Sequence, residues 1–344
     1  MKIAINGFGR IGRILARRLF ENPQWSEKLE LVAFNDLGTL EGAAFRLKYD
    51  TVHGRFNGTV SEDQSDLMIN GKKITHCKTR NPEELPWKEL GVDLVLECTG
   101  KFRDHEGASK HLAAGAKKVI ISAPGKEDID GTFVMGVNHQ NYNPETDHIV
   151  SNASCTTNCL APLMHVLHRE FQVKQGLMTT VHSYTSDQRL LDNSHKDLRR
   201  GRTAALNLIP TTTGAAKSVG EVIPDLKGKL DGLAIRVPTA NVSYTDIVAE
   251  LEKPASKDEI HQKISTAAET DLNGILGFTD EPLVSSDFVG SSLSSVVDFG
   301  TTVISQPDAS GRGNLVKMGS WYDNEAGFAC RMLELALLIE KHYS

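Results

Sequence analysis

Gly7-Phe8-Gly9-Arg10-Ile11-Gly12 directly follows the β-branched run Lys2 to Ile5 and opens the helical pattern Ile11 to Phe20. Glycines at this spacing between strand and helix permit a tight turn, close approach of backbone to a pyrophosphate, and contact packing of helix on strand. The helix start adds free N–H groups and the positive end of its dipole. The next apolar run, Glu30 to Phe34, leads into Asn35-Asp36. That acid falls roughly 20 residues past the last glycine, where an adenosine ribose hydroxyl finds its acceptor. Gly7, Gly9, Arg10, Ile11, Gly12 and Asp36 are therefore expected around a nicotinamide dinucleotide.

The remaining pattern extends this unit into a whole domain. Short β-branched runs at Leu94 to Cys98, Val119 to Ser122, Phe133 to Val137 and Ile149 to Asn152 alternate with helical stretches. Such alternation predicts an α/β, doubly wound, largely parallel sheet. Beyond Ser154 the runs lengthen: Leu233 to Val237, Val242 to Leu251, Val296 to Ile304 and Asn314 to Trp321, with a clear helix over Lys257 to Leu272. These predict an α+β domain with a mixed, largely antiparallel sheet. The chain's 344 residues suit two such domains. Glu325 to His342 reads as an amphipathic helix, apolar at Phe328, Met332, Leu333, Leu335, Ala336 and Ile339, able to pack on either.

Charge and cysteine usage exclude other classes. A formal net charge of −6 argues against nucleic acid as the main partner. No apolar stretch reaches the roughly 18 residues of a membrane span. Five sparse cysteines and an opening at Lys2-Ile3-Ala4-Ile5, without a secretory pattern, point to a cytoplasmic protein.

Ser151-Asn152-Ala153-Ser154-Cys155-Thr156-Thr157-Asn158-Cys159 places a thiol where a helix running through His168 begins. A helix N-terminus favours thiolate, which makes Cys155 a candidate nucleophile. Cys77, Cys98 and Cys330 read as small buried hydrophobes. Cys159 lacks a Cys/His pair at zinc spacing, so no metal site is expected. A nucleophilic thiol needs a base, and His182 is placed to serve: Thr179 to Thr185 is a strand running into a polar loop, from which a ring can be aimed.

Together with Thr211-Thr212-Thr213-Gly214-Ala215-Ala216-Lys217, Arg236-Val237-Pro238-Thr239 and Trp321-Tyr322-Asp323-Asn324-Glu325, these motifs resemble the phosphorylating glyceraldehyde-3-phosphate dehydrogenase family over essentially the whole chain. The resemblance implies a Rossmann domain over residues 1–153, rejoined by a C-terminal helix at about 324–344, and a catalytic domain over 154–323. It implies oxidation of glyceraldehyde 3-phosphate to 1,3-bisphosphoglycerate with NAD, by a homotetramer acting in glycolysis and gluconeogenesis. Cys155 then attacks, and His182 activates it and accepts a proton. Thr185 and Arg236 hold the substrate phosphate, while Ser154, Thr156, Thr213 and Gly214 hold inorganic phosphate, with Arg200 between. Arg80, Thr99, Ser122 and Asn324 join the cofactor site, Asn324 fixing the nicotinamide carboxamide.

Three positions in two places depart from the family pattern. Asn193-Ser194 stands where many NAD-specific members have Leu-Pro, in a loop that reaches a neighbouring subunit's adenosine ribose. Asn and Ser can donate hydrogen bonds to a 2′-phosphate, so some NADP use is expected although Asp36 opposes that charge. Ala326 stands where the family usually has Trp. Two further readings share these motifs: an erythrose-4-phosphate dehydrogenase, in which water resolves the thioester, and a non-catalytic NAD-binding or interaction protein.

Overall fold

The computed structural model describes residues 1–126 and 128–343. Ser344, the last residue of the expected C-terminal segment, lies outside them. The chain forms two compact units, Met1–Met135, His139–Ser154 and Ala329–Ser344 in one, Gly136–Asn138 and Cys155–Phe328 in the other.

Among the described residues, the first unit is built on a nine-stranded sheet. Its parallel part runs in the order Gly131–Thr132, Ile149–Ser151, Lys118–Ile121, Leu94–Glu97, Lys2–Asn6, Glu30–Asn35, Lys72–Cys77. Two antiparallel strands, Asp66–Ile69 and Val60–Asp63, extend one edge. The central strands are apolar on both faces, as expected where helices cover a parallel sheet. Ala4, Val95, Val119 and Ile149 sit at 1% exposure or less in one cluster with Trp87. The strand expected over Phe133 to Val137 does not form. Phe133 N–H still donates to Ser151 C=O, but Gly136 at φ +80° turns the chain out of the ladder. The edge hairpin was not evident from the sequence, because Val60 to Cys77 is too polar to show a strand period on its solvent side.

Beneath the C-terminal ends of these strands lies a buried polar network. Asn6 Nδ2 donates to Glu97 (2.6 Å), His111 Nε2 lies 3.0 Å from the same carboxylate, and Asn35 Nδ2 donates to Asn6 Oδ1 (2.7 Å). The Trp87 indole N–H donates to His111 Nδ1 at 3.0 Å. An indole is a donor only, so Nδ1 accepts and the proton of this neutral ring sits on Nε2, facing Glu97. The network ties together the strands that carry the glycine turn and Asp36.

The second unit holds a seven-stranded sheet in the order Ile209–Thr212, Leu230–Val237, Val173–Ser183, Ser243–Ala255, Gly313–Tyr322, Ser295–Ser305, Leu276–Thr279. It is antiparallel except at two pairs: Val173–Ser183 with Leu230–Val237, and Leu276–Thr279 with Ser295–Ser305. Helices Cys155–Phe171, Ala215–Val222 and Lys257–Glu269 accompany it. Ser256 caps the last of these, reciprocally with Glu259. The final helix, Ala326–Lys341, buries the apolar face read from the sequence, and from Ala329 onward it belongs to the first unit. Ala326 itself is fully buried at the helix start. No helix among the described residues is long and apolar enough to cross a membrane.

The buried network predicts the effect of a small change. Trp87→Phe preserves most of the ring and removes only the indole donor, leaving Nδ1 of the fully buried His111 without a partner. The expected cost is about 1–3 kcal/mol. Urea denaturation followed by circular dichroism measures it, and an unchanged midpoint would show that the bond carries no net stability.

Candidate functional site

The glycine turn forms the cradle that its spacing predicts. Gly7 sits at φ +97°, and a Cβ there would meet the Cys98 carbonyl carbon and the Thr99 nitrogen at 2.8 Å. A Cβ on Gly12 would lie 2.2 Å from the Gly7 carbonyl oxygen, so this glycine is what lets the helix Arg10–Glu21 seat against the turn. Gly9 is the helix N-cap and makes no side-chain cap, and the space a Cβ would occupy is open. First-turn N–H groups with no side chain capping them, beside open space, fit a pyrophosphate.

The adjoining cleft of about 340 Å³ is lined in part by Gly7, Gly9, Asp36, Arg80 and Thr99, all expected there. Arg10, Ile11, Gly12 and Ser122 are not part of its wall. The Arg10 guanidinium forks onto Asp50 instead, and Ser122 N–H donates to Glu97 C=O. Lys101 and Phe102 line the cleft without having been singled out in the sequence. Asp36 Oδ1 accepts from Gly38 N–H (2.7 Å) and lies 3.9 Å from Arg46. Gly12→Ala forces helix and turn apart, at an expected cost of about 1–3 kcal/mol. NAD titration and thermal unfolding together check this, and normal affinity in a normally stable variant would count against the cradle.

In the second unit, Cys155 is the first residue of the helix Cys155–Phe171. Two residues before it, buried Ala153 takes φ +56°, an uncommon conformation for a residue with a Cβ, braced by its N–H bond to Ser151 Oγ at 2.9 Å. Cys155 Sγ lies 3.5 Å from His182 Nε2. The sheet register places His182 directly opposite Arg236 in the parallel pair.

Electrostatics correct one expectation. Burial pushes the Cys155 thiol up rather than down, outweighing the Arg236 charge and the hydrogen bonds around the sulfur. Burial, with Arg236 next, also pushes His182 down to about 3. Cys77 and Cys159, also buried, are pushed up to about 11.

Several side chains hold this pair. Tyr322, which the sequence reading left without a role, is buried with its hydroxyl 2.8 Å from both Thr156 Oγ1 and Thr180 Oγ1, and its ring meets His182 edge-on at 6.1 Å. Thr156 was expected to face an anion, but its hydroxyl is turned inward to Tyr322 and the residue is 4% exposed. Asn324 Oδ1 accepts from Ser183 Oγ (3.0 Å) and Ser243 Oγ (2.9 Å), which fixes the amide and leaves its NH₂ without a partner. Asp323 accepts from Asn241, Gly290, Glu325 and Ala326, capping the final helix beside it.

The two expected anion ligands with full charge differ sharply. Arg236 Nη1 reaches His182 Nδ1 (3.0 Å), Ser183 C=O (3.1 Å) and Thr185 Oγ1 (3.3 Å), Nε has no partner, and no carboxylate forms a salt bridge with it. Arg200 is already engaged, by Asp187 (2.6 Å), Thr211 Oγ1 (2.9 Å) and Thr212 C=O (3.2 Å). Thr213 and Gly214 stand at the start of the helix Ala215–Val222, where Thr213 Oγ1 accepts from Ala215 N–H. Asn193 and Ser194 are exposed, with Asn193 Oδ1 folded onto Ser194 N–H at 2.7 Å. No group of three or more His, Cys, Asp or Glu suited to a metal occurs among the described residues.

Comparison with known proteins agrees with this division of labour. Residues 1–105 match the family model described as glyceraldehyde 3-phosphate dehydrogenase, NAD binding domain, and residues 154–324 match the corresponding C-terminal domain. The chain is 54% identical over 339 residues to glyceraldehyde-3-phosphate dehydrogenase of Geobacillus stearothermophilus, covering 98% of each chain. It is 53% identical over 342 residues to that of Zymomonas mobilis, covering 99% of each. Glyceraldehyde-3-phosphate dehydrogenase 1 of Bacillus cereus is 52% identical over 335 residues, 97% of each. With a glycine cradle for a dinucleotide in one unit, a Cys155–His182 pair in the other, and matches that span both, the chain belongs to the glyceraldehyde-3-phosphate dehydrogenase family.

Proposed function

We propose that this protein oxidises D-glyceraldehyde 3-phosphate to 1,3-bisphosphoglycerate with NAD and inorganic phosphate, through a thioester on Cys155. The observation that carries this reading is the 3.5 Å approach of Cys155 Sγ to His182 Nε2 beside Arg236, a part-buried cation with no carboxylate of its own. Such a guanidinium suits an anionic substrate group, and Thr185 Oγ1 stands next to it.

Bound NAD supplies the two-electron acceptor. Cys155 adds to the aldehyde carbon, and its backbone N–H at the helix start is a donor for the oxygen that becomes anionic. The thiol proton reaches that oxygen by way of His182, which takes it back from the hemithioacetal hydroxyl as the aldehyde C–H hydride leaves for the acceptor, and the acyl group then rests on sulfur until phosphate displaces it. Ser154, Thr213, Gly214 and the backbone of Thr156 are read as ligands of that phosphate, with Arg200 released from Asp187 to share it. The free NH₂ of Asn324 is read as the donor to the nicotinamide carboxamide. Leu190, Leu191, Leu198, Leu206 and Leu208 are 69–86% exposed on one loop and its continuation, which supports burial in a homotetramer.

Phosphate dependence tests the acyl acceptor. With glyceraldehyde 3-phosphate and NAD, a first-turnover burst of NADH is expected without phosphate, while sustained turnover requires it. Thr213→Ala and Arg200→Ala weaken that dependence more than they weaken the burst. Undiminished steady NADH production in phosphate-free buffer would transfer the reading to the hydrolytic erythrose-4-phosphate class, and no burst at all would leave a non-catalytic NAD-binding role.

Cofactor choice weighs Asn193 and Ser194 against Asp36. The Arg46 guanidinium 3.9 Å from Asp36 partly offsets the acid's charge. A kcat/KM for NADP within about 10³ of that for NAD is expected, less than roughly 4 kcal/mol of discrimination. A larger ratio would show that Asp36 alone decides.

A further inference from the structure

Thr185 follows the strand Val173–Ser183 into a turn, and its polar groups face different tasks. The hydroxyl oxygen accepts from Arg236 Nη1 at 3.3 Å, and its own proton has no acceptor among the described residues. Thr185 is only partly buried, so that proton is left for a ligand. The backbone N–H, by contrast, donates to the side-chain oxygen of Gln188 at 3.2 Å, and Gln188 N–H donates in return to Thr185 C=O at 2.9 Å. The two bonds close the turn 185–188.

Gln188 is 8% exposed, although Ser186 and Asp187 before it are exposed. An N–H can only donate, so the amide presents its oxygen to Thr185, and its Nε2 is buried without a partner. A buried donor left unmet destabilises the fold. An apolar side chain of similar length would carry no such donor, so packing alone does not account for a glutamine here. The amide is also held from its far side. Arg189 N–H donates to Arg200 C=O (3.2 Å), Arg189 C=O accepts from Ala204 N–H (2.9 Å), and Asp187 accepts from the Arg200 guanidinium (2.6 Å). On the near side, Tyr184 N–H donates to Thr239 C=O (3.1 Å), just past the strand that carries Arg236. Thr185 is tied between these two anchors, and the Gln188 amide is the group that bonds its N–H.

We propose that Gln188 is a positioning residue for the substrate's phosphate: its amide oxygen holds Thr185 by the backbone, so that the Thr185 hydroxyl stays beside Arg236 with its proton free for a phosphate monoester. Gln188 touches neither the ligand nor the reacting atoms in this role and acts through Thr185. A phosphate ester gains from the preset hydroxyl and an aldehyde without phosphate does not, so the residue contributes to discrimination between them. The inference rests on reading Thr185 and Arg236 as ligands of the substrate phosphate, and it adds what sets Thr185 in place.

The test is the ratio of kcat/KM for glyceraldehyde 3-phosphate to that for glyceraldehyde, both oxidised with NAD on one preparation of the full chain, so that the active fraction cancels. Gln188→Met keeps the length of the side chain and removes the acceptor together with the unpartnered NH₂. Gln188→Leu does the same with a different shape, and serves if Met packs poorly. Each should lower the ratio about ten-fold, the order of one hydrogen bond to a charged group, through KM for the phosphate ester and with the thermal midpoint little changed. Thr185→Val should lower the ratio at least as far, and adding Gln188→Met to it should lower the ratio by less than about two-fold more, because the two residues act as one unit. If Thr185→Val leaves the ratio unchanged, Thr185 is not a phosphate ligand, and the underlying reading falls together with the proposal. If Thr185→Val lowers the ratio and neither Gln188 variant does, the reading stands and the proposal alone is overturned. Equal losses with both substrates and a lowered midpoint would make Gln188 a structural residue only, and an undiminished Gln188 effect in the Thr185→Val background would mean that it acts by another route. Either result overturns the proposal.

Discussion

The register of the strand Val173–Ser183 is the constraint on which the catalytic unit depends. That strand lies between Leu230–Val237, parallel, and Ser243–Ala255, antiparallel. In this register Arg236 is opposite His182, while Thr180, on the same face two residues earlier, bonds to the Tyr322 hydroxyl. A slip by one residue would turn every side chain to the other face of the sheet and separate all of these groups. The alternating burial along the strand, with Val173, Gly176, Met178, Thr180 and His182 inward, makes such a slip costly. Packing of the sheet thus fixes the relation of His182 to Arg236.

The same sheet holds the polar edges of the site through side-chain hydrogen bonds. Tyr322 joins the Cys155 helix, through Thr156, to the central strand, through Thr180. Ser183 and Ser243 orient Asn324, and Asp323 caps the helix that follows. Val242, buried at φ +66°, is a β-branched residue in a conformation that costs of order 1–3 kcal/mol. It lies between Asn241, which bonds Asp323, and Ser243, which bonds Asn324. Strain there is the local cost of aiming two neighbouring side chains at one loop. Ala153, at φ +56° before Cys155, is a second instance beside the chemistry.

Electrostatics in the two units work in opposite directions. Around the glycine turn, uncapped N–H groups, Arg80 and Lys101 leave positive potential for an anionic cofactor, and Asp36 adds a local acceptor. Around Cys155, burial pushes the thiol up and, with Arg236 next, the imidazole down. The cation beside the pair, Arg236, lacks a carboxylate partner. Arg200, fixed by Asp187, is held more firmly.

The sequence by itself determined the fold class, the glycine turn, the place of Cys155 at its helix start and the apolar face of the final helix. Each is written in short-range terms: a spacing of glycines, one residue's place after a strand, or a helical period. Sequence periodicity left open which domain the final helix joins, and the contacts from Ala329 onward decided it. The polar edge hairpin, the failed strand at Phe133 to Val137 and the part played by Tyr322 were equally a matter of tertiary structure. So were the inward turn of the Thr156 hydroxyl and the unanchored state of Arg236, because hydrogen-bond partners distant in the chain leave no mark on local pattern. The protonation of Cys155 shows the same division. Its helix position predicts a lowered pKa, but burial, which depends on everything packed around the sulfur, has the larger effect and the opposite sign.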